Sequence, residues 1–206
     1  MTTVNERLEI LISNQSIAIT GTTRGIGQNL YKKLSAHNRV YQINRPTYDL
    51  EDIGTLKNVD FSTTDCLILN AGHLLGGKTY FKDHSPEQWS KIISANLTGN
   101  LYLIQQYIQQ RNTGCIVVVS SMRAAKFTSD ALVYSSSKAA LSLAVSNLRL
   151  ELAQLNQPIR LIDIKPSFTN AGGVPDGSGR KVSSYDQVSN GIIAAILNPA
   201  IEEVRF

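Results

Sequence analysis

Ser16-Ile17-Ala18-Ile19-Thr20-Gly21-Thr22-Thr23-Arg24-Gly25-Ile26-Gly27 runs from a short apolar segment into a cluster of glycines. Ser16 to Thr20 reads as a buried strand, and Gln28 to about Ala36 as the helix that follows. A glycine-rich turn at such a junction lets the backbone come close to a pyrophosphate. The helix N-terminus then offers N–H groups and the positive end of its dipole to the anion. The spacing is G-x-x-x-G-x-G rather than the G-x-G-x-x-G of many dinucleotide-binding turns. A plain tight turn is the alternative; the position directly after a first strand favours the phosphate reading.

Arg39 to Asn44 reads as a second strand. Folds of this kind that select NAD commonly end this strand on a carboxylate that bonds the adenosine ribose. Here Asn44 and Arg45 stand there instead. A guanidinium at Arg45, with Arg24 across the glycine loop, would suit a 2′-phosphate, so NADP(H) is the expected cofactor and NAD(H) the second choice. Two solvated arginines are the plainer alternative. The connection that follows is too brief for an ordinary crossover helix. Thr47 to Leu50 is therefore read as a short third strand, with a small helix over Glu51 to Asn58.

Asp65 to Asn70 is the next strand, closed by Asn70-Ala71-Gly72 at the expected cofactor edge. Ser85-Pro86-Glu87 then opens a long helix to about Gln110. Asn96 and Gly99 in its middle lower helix propensity, which points to a packing or functional reason. Gly114 to Ser121 is a buried strand that delivers Ser121 at its carboxyl end, where open α/β sheets bind ligands. Ala131 to Ala153 reads as a helix, Ile159 to Lys165 as a sixth strand, Tyr185 to Leu197 as the last helix and Glu203 to Phe206 as a final strand. Ala171 to Ser184, rich in Gly, Ser, Asp and Lys, is expected to be a mobile substrate loop, and residues 1–14 a helical extension.

On the Ala131–Ala153 helix, Tyr134 and Lys138 are i and i+4 and share a face. A phenol is a poor proton donor at neutral pH, and an ammonium beside it would draw its pKa toward the working range. Such a pair suits proton transfer to or from an alcohol oxygen. Alone it is a weak signal, because tyrosines and lysines fall at this spacing by chance.

The chain has 206 residues, 42% of them hydrophobic and 17% charged, which suits one globular domain over 1–206. Its net charge of +4 is scattered, with no basic stripe, so no nucleic-acid partner is expected. No apolar run reaches membrane-spanning length, and no membrane partner or secretory signal is expected. Cys66 and Cys115 lie in apolar strands and read as buried thiols of a reducing compartment, with a cytoplasmic location as the default.

Strands alternating with helices argue for an α/β fold, a Rossmann-type doubly wound parallel β-sheet with helices on both faces. Thr20-Gly21-x-x-x-Gly25-x-Gly27, Asn70-Ala71-Gly72, Asn96, Ser121 and Tyr134-x-x-x-Lys138, in that order, resemble the short-chain dehydrogenase/reductase family over nearly the whole chain. The resemblance implies Tyr134 as general acid and base. Lys138 would lower the tyrosine's pKa and bond the nicotinamide ribose, Ser121 would bind the substrate oxygen, and Asn96 would hold a water of a proton relay. It implies cofactor contacts from Gly21, Thr23, Arg24, Gly25, Ile26, Gly27, Asn44, Arg45, Asp49, Leu50, Asn70, Ala71, Gly72, Pro166, Ser167 and Thr169, besides Tyr134 and Lys138. Pro166-Ser167 departs from the family's usual Pro-Gly, and the chain is shorter than most relatives. A small carbonyl or alcohol substrate and a homodimer or homotetramer are implied. His73, Met122, Arg123 and Phe168 adjoin the expected pocket. A non-enzymatic NADP(H)-binding sensor or scaffold, and NAD-linked alcohol oxidation, are the competing readings.

Overall fold

The computed structural model describes residues 11–74, 80–126, 130–170 and 182–206. Six strands form one parallel sheet: β1 (Ser16–Thr20), β2 (Arg39–Ile43), β3 (Cys66–Leu69), β4 (Gly114–Val119), β5 (Ile159–Lys165) and, last in the chain, β8 (Glu203–Arg205). Their spatial order is β2-β1-β3-β4-β5-β8. The chain moves outward from β1 to β2, returns across β1 to β3 and continues the other way. The reversal lies between β1 and β3, and ligands of open α/β sheets bind outside the carboxyl ends of the strands at such a point.

The central strands β1, β3, β4 and β5 are mostly apolar because both faces are covered, while the edge strands β2 and β8 are more polar and exposed. Ala18, Leu67, Leu69, Ile116, Val118 and Leu161 share a core with Leu103, Ile104 and Tyr107 of α4 (Gly99–Gln110) and Leu141 and Val145 of α5 (Leu132–Gln154). Ile17, Ile19, Ile68, Val117 and Ile162 meet Leu30 and Leu34 of α1 (Gly25–Leu34) and Val188 and Ile192 of α6 (Tyr185–Leu197). Cys66 and Cys115, partners in register on β3 and β4, are buried free thiols.

Three expectations are corrected. Thr47 to Leu50 is not a strand; it holds only an isolated bridge between Asp49 and Asp52, ahead of the one-turn helix α2 (Ile53–Leu56). Pro46 lacks an N–H to donate to a ladder, and Asp49 turns its carboxylate onto Glu51 N at 2.9 Å, closing the chain on itself. β2 is therefore the sheet's edge. The helix expected over Pro86–Gln110 is broken into α3 (Pro86–Ile93), a π-helical turn (Ser94–Thr98) and α4. Gly99 after that turn answers a close approach: a Cβ there would stand 2.4 Å from Leu50 O. Of the segment expected as a loop over Ala171–Ser184, Val182–Ser184 instead forms β7, paired in parallel with β6 (Phe168–Asn170). Ser184 also caps α6 through a box with Gln187. Residues 171–181, and the helical extension over 1–10, lie outside the described residues.

Candidate active site

The carboxyl ends of β1 and β3 are tied together before any ligand is considered. Thr20 Oγ1 accepts from Asn70 N and Ala71 N, both at 2.9 Å. Asn70 Nδ2 donates to Thr20 O and Gly21 O at 3.2 and 3.0 Å. Gly27 sits beneath this clamp: a Cβ there would fall 2.1 Å from Gly21 O and 2.4 Å from Asn70 Nδ2. Asn44 holds the other side of the loop, accepting from Thr22 N at 3.0 Å and donating to Thr22 Oγ1 at 2.7 Å. α1 begins at Gly25, earlier than expected, with no side-chain cap at Arg24 and no acidic residue in its first turn. Its leading N–H groups are thus left for an anion.

Around this loop lies a cleft of about 430 Å³. Of the sequence-predicted cofactor residues, it is lined by Gly21, Thr23, Arg24, Gly25, Ile26, Asn44, Arg45, Asp49, Leu50, Asn70, Ala71, Gly72 and Thr169. Tyr48, His73 and Tyr185 line it too. Tyr185 arrives on α6, its ring 3.8 Å from where a Cβ on Gly25 would stand. Nothing in the local sequence marks it; only the packing of α6 on α1, with Lys33 Nζ 2.9 Å from Asp186, brings it there.

Arg45 does not face the cleft as a bare charge. Its Nε lies 2.9 Å from Asp49 Oδ2, and its Nη2 is 2.6 Å from Glu51 Oε1. The same Glu51 oxygen is 2.8 Å from His73 Nε2. Burial works against ionised Asp49, but the hydrogen bonds from Arg45 and Glu51 N prevail and hold its carboxyl below the usual range.

A second cavity of about 190 Å³ shares Ile26, Asn70, Gly72 and Thr169 with the cleft and adds Ser121, Tyr134, Lys138, Pro166 and Ser167. Ser121 caps a short 3₁₀ turn (Met122–Ala124), its Oγ accepting from Arg123 N at 3.1 Å, and it hydrogen-bonds the Tyr134 phenol. Burial pushes the Tyr134 pKa up, while Ser121 and the Arg123 charge draw it partly back. Lys138, expected to lower this phenol, donates from Nζ to Val119 O at 2.8 Å. Burial also lowers Lys138 to about 8, with Asp163 opposing. Arg123 is paired with Asp130 at 2.8 Å and lies over the Phe168 ring, 5.6 Å from its centroid.

Asn96, fully buried in the π-helical turn, reaches across to both sides of the site. Its Oδ1 accepts from His73 N at 2.6 Å, and its Nδ2 donates to His73 O at 2.9 Å and Ser137 Oγ at 3.0 Å. Ser137 in turn donates to Tyr134 O at 2.7 Å. Asn100 Nδ2, bonded to Ala95 O and Asn96 O, supports the widened turn from below.

The uncapped helix start, the glycine cradle and the adjoining cavity fit a dinucleotide with its phosphates on α1 and its far end beside Tyr134. A family model described as short chain dehydrogenase matches residues 48–176. An uncharacterized oxidoreductase of Staphylococcus epidermidis is 23% identical, covering 92% of this chain and 94% of the relative. Among solved structures, a short-chain dehydrogenase of Burkholderia cenocepacia in complex with NADP superposes with a TM-score of 0.80 at 19% identity, covering 95% of this chain and 97% of that one. A 3-oxoacyl-[acyl-carrier protein] reductase of Brucella melitensis in complex with NAD gives 0.75 at 19% identity, covering 93% and 95%.

Proposed function

Since the chain belongs to the short-chain dehydrogenase family, an oxidoreductase family, we propose that it is an NADP(H)-dependent reductase of small carbonyl compounds, with alcohol oxidation as the reverse reaction. The observation that carries this reading is the cavity holding Ser121, Tyr134 and Lys138, which adjoins the glycine-lined cleft and shares Ile26, Asn70, Gly72 and Thr169 with it. The nicotinamide would supply the hydride.

The protein's part is proton and position. The Tyr134 phenol, its pKa pushed up by burial, holds its proton at neutral pH and would give it to a carbonyl oxygen as negative charge develops there. Ser121 Oγ accepts from Arg123 N, so its own proton can be directed to Tyr134 or to the substrate oxygen, orienting that oxygen and stabilising its charge. Lys138 spends one of three ammonium N–H groups on Val119 O; the others would serve a ribose hydroxyl. Asn96 would steady the His73 backbone and, through Ser137, the first turn of α5, and with them the water of a proton relay to Lys138. At the adenosine end Arg24 and Arg45 would take the 2′-phosphate, Arg45 pre-oriented by its two carboxylates. Two buried free thiols suit a cytoplasmic setting. A homodimer or homotetramer is the expected assembly.

The test is binding of NADPH and NADH by the purified protein, then oxidation of the preferred cofactor against ketones, aldehydes and quinones. Cofactor binding with turnover on one class supports the reading. Tight binding with no turnover across the panel favours the sensor, and no binding of either cofactor overturns both.

A further inference from the structure

Among the described residues, one carboxylate lies buried in the core. Asp163 sits on β5, 2% exposed, on the sheet face covered by α5. Its Oδ1 accepts from Ser120 Oγ, the residue before Ser121. Its Oδ2 accepts from Ser142 Oγ at 2.6 Å and lies 3.3 Å from Lys165 Nζ. Ser142 is one helical turn beyond Lys138 on the same face of α5. That helix is therefore fastened to the sheet at two successive turns, by Lys138 on Val119 O and by Ser142 on Asp163. Ser120 is held from the other direction, its N–H donating to Ile164 O at 2.8 Å.

We propose that Asp163 is a positioning residue for this site: its carboxylate fixes the end of β4, which carries Ser121, against the helix that carries Tyr134 and Lys138, and supplies the counter-charge behind Lys138. The inference deepens the proposed reductase and rests on it for its kinetic consequence. Its geometric and electrostatic content does not.

A neutral amide could also pair with the two serine hydroxyls, accepting from one and donating to the other, so pairing alone does not call for a charge. The charge matters because of what surrounds it. Lys138 is 3% exposed and has one carbonyl partner, Val119 O. Burial of an ammonium favours loss of its proton, and a buried anion nearby opposes that loss. Among the described residues the charged group acting on Lys138 is Asp163 on β5, itself paired with Lys165, while Tyr134 lies one turn before Lys138 on its own helix and feels Arg123. Lys165 is shared with Glu203 on β8 at 2.5 Å, and Glu203 is also paired with Arg205. Asp163 is thus left to face Lys138 rather than being neutralised by Lys165 alone.

The experiment is an NMR titration of the Lys138 side-chain Cε in protein carrying ¹³C-lysine, assigned with Lys138→Met. Asp163→Asn keeps the shape, with one serine hydroxyl turned to accept from the new Nδ2, and removes the charge; its Lys138 midpoint is expected to fall by roughly one pH unit. Ser142→Ala removes a fastening and keeps the charge, so the midpoint stays. Lys165→Gln removes the competing cation and should raise the midpoint, which keeps a test in hand if Asp163→Asn does not fold. In turnover, the alkaline limb of kcat should move down with the midpoint in Asp163→Asn. An unmoved midpoint in Asp163→Asn or Lys165→Gln overturns the inference. A wild-type protein that titrates as expected but turns nothing over overturns the proposed reductase instead.

Discussion

Replacing Arg45 by alanine tests the nucleotide end of the cleft, and the structure gives both the sign and the size. The Arg45 side chain is 52% exposed and gripped by Asp49 and Glu51. A 2′-phosphate meeting this guanidinium would gain a charge-assisted hydrogen bond, worth about 1.5–3 kcal/mol when well formed. Half exposure and the competing carboxylates reduce that to about 1–2 kcal/mol. Arg45→Ala removes this attraction and leaves two carboxylates facing the phosphate, whereas NADH carries only an uncharged hydroxyl at that position. Calorimetric titration should therefore show NADPH affinity falling about 5-fold to 30-fold, with NADH within about twofold. Glu51→Gln should act in the opposite direction: one carboxylate fewer competes for Arg45, and NADPH affinity rises several-fold while NADH is again little changed. The difference should shrink at high salt, since the contact is exposed. An unchanged NADPH/NADH ratio in Arg45→Ala, or a loss shared equally by both cofactors, refutes the 2′-phosphate assignment.

Asn96→Ala removes three buried hydrogen bonds, and at about 1 kcal/mol each the urea unfolding free energy should drop by about 3 kcal/mol; a drop no larger than for an exposed substitution would refute the brace. Gly27→Ala places a methyl 2.1 Å from Gly21 O, so cofactor binding measured by nucleotide fluorescence should be lost; retained affinity would mean that the loop is not the phosphate site. Lys138 titrates at about 8 in the fold against 10.5 as its ordinary value, so the unfolded chain binds more protons across that window and stability should rise with pH through it. Tyr134 and Tyr107 are both pushed above their ordinary 10.0, chiefly by burial. Above that pH the unfolded phenols ionise first, and stability should fall again. Chemical denaturation across this range, with Lys138→Met lacking the rise, checks both signs.

The β1–α1 junction is legible because glycine spacing and strand pattern are local properties, and the order of the motifs carries the site with them. Ser121, Tyr134 and Lys138 could be placed together because one ends a strand and the others share a helical face. The failures have physical reasons. Thr47 to Leu50 looks like a strand, but a strand exists only if a neighbour pairs with it. Pro46 and the Asp49 turn remove that possibility. The π-helical turn at Ser94–Thr98 leaves the apolar pattern of the long helix nearly undisturbed, so only Asn96 and Gly99 hint at it. The Arg45–Glu51–His73 chain joins residues from separate connections, and no local pattern predicts that Arg45 is already paired. Asp163 did leave a signal, a carboxylate inside the apolar run Ile159–Lys165. Its partners Ser120, Ser142 and Lys165 became readable only from the packed sheet and helix. The Tyr134 environment shows the same limit: spacing gives proximity to Lys138, while burial sets the direction of the pKa.

The central claim is that Tyr134 delivers the proton in carbonyl reduction. The most direct measurement compares wild type with Tyr134→Phe for NADPH binding and for single-turnover oxidation of bound NADPH by an accepted carbonyl substrate. The account predicts unchanged cofactor affinity and a rate lower by about 100-fold or more, since positioned proton transfer contributes on that order. Tyr134→Phe turning over at the wild-type rate would contradict it.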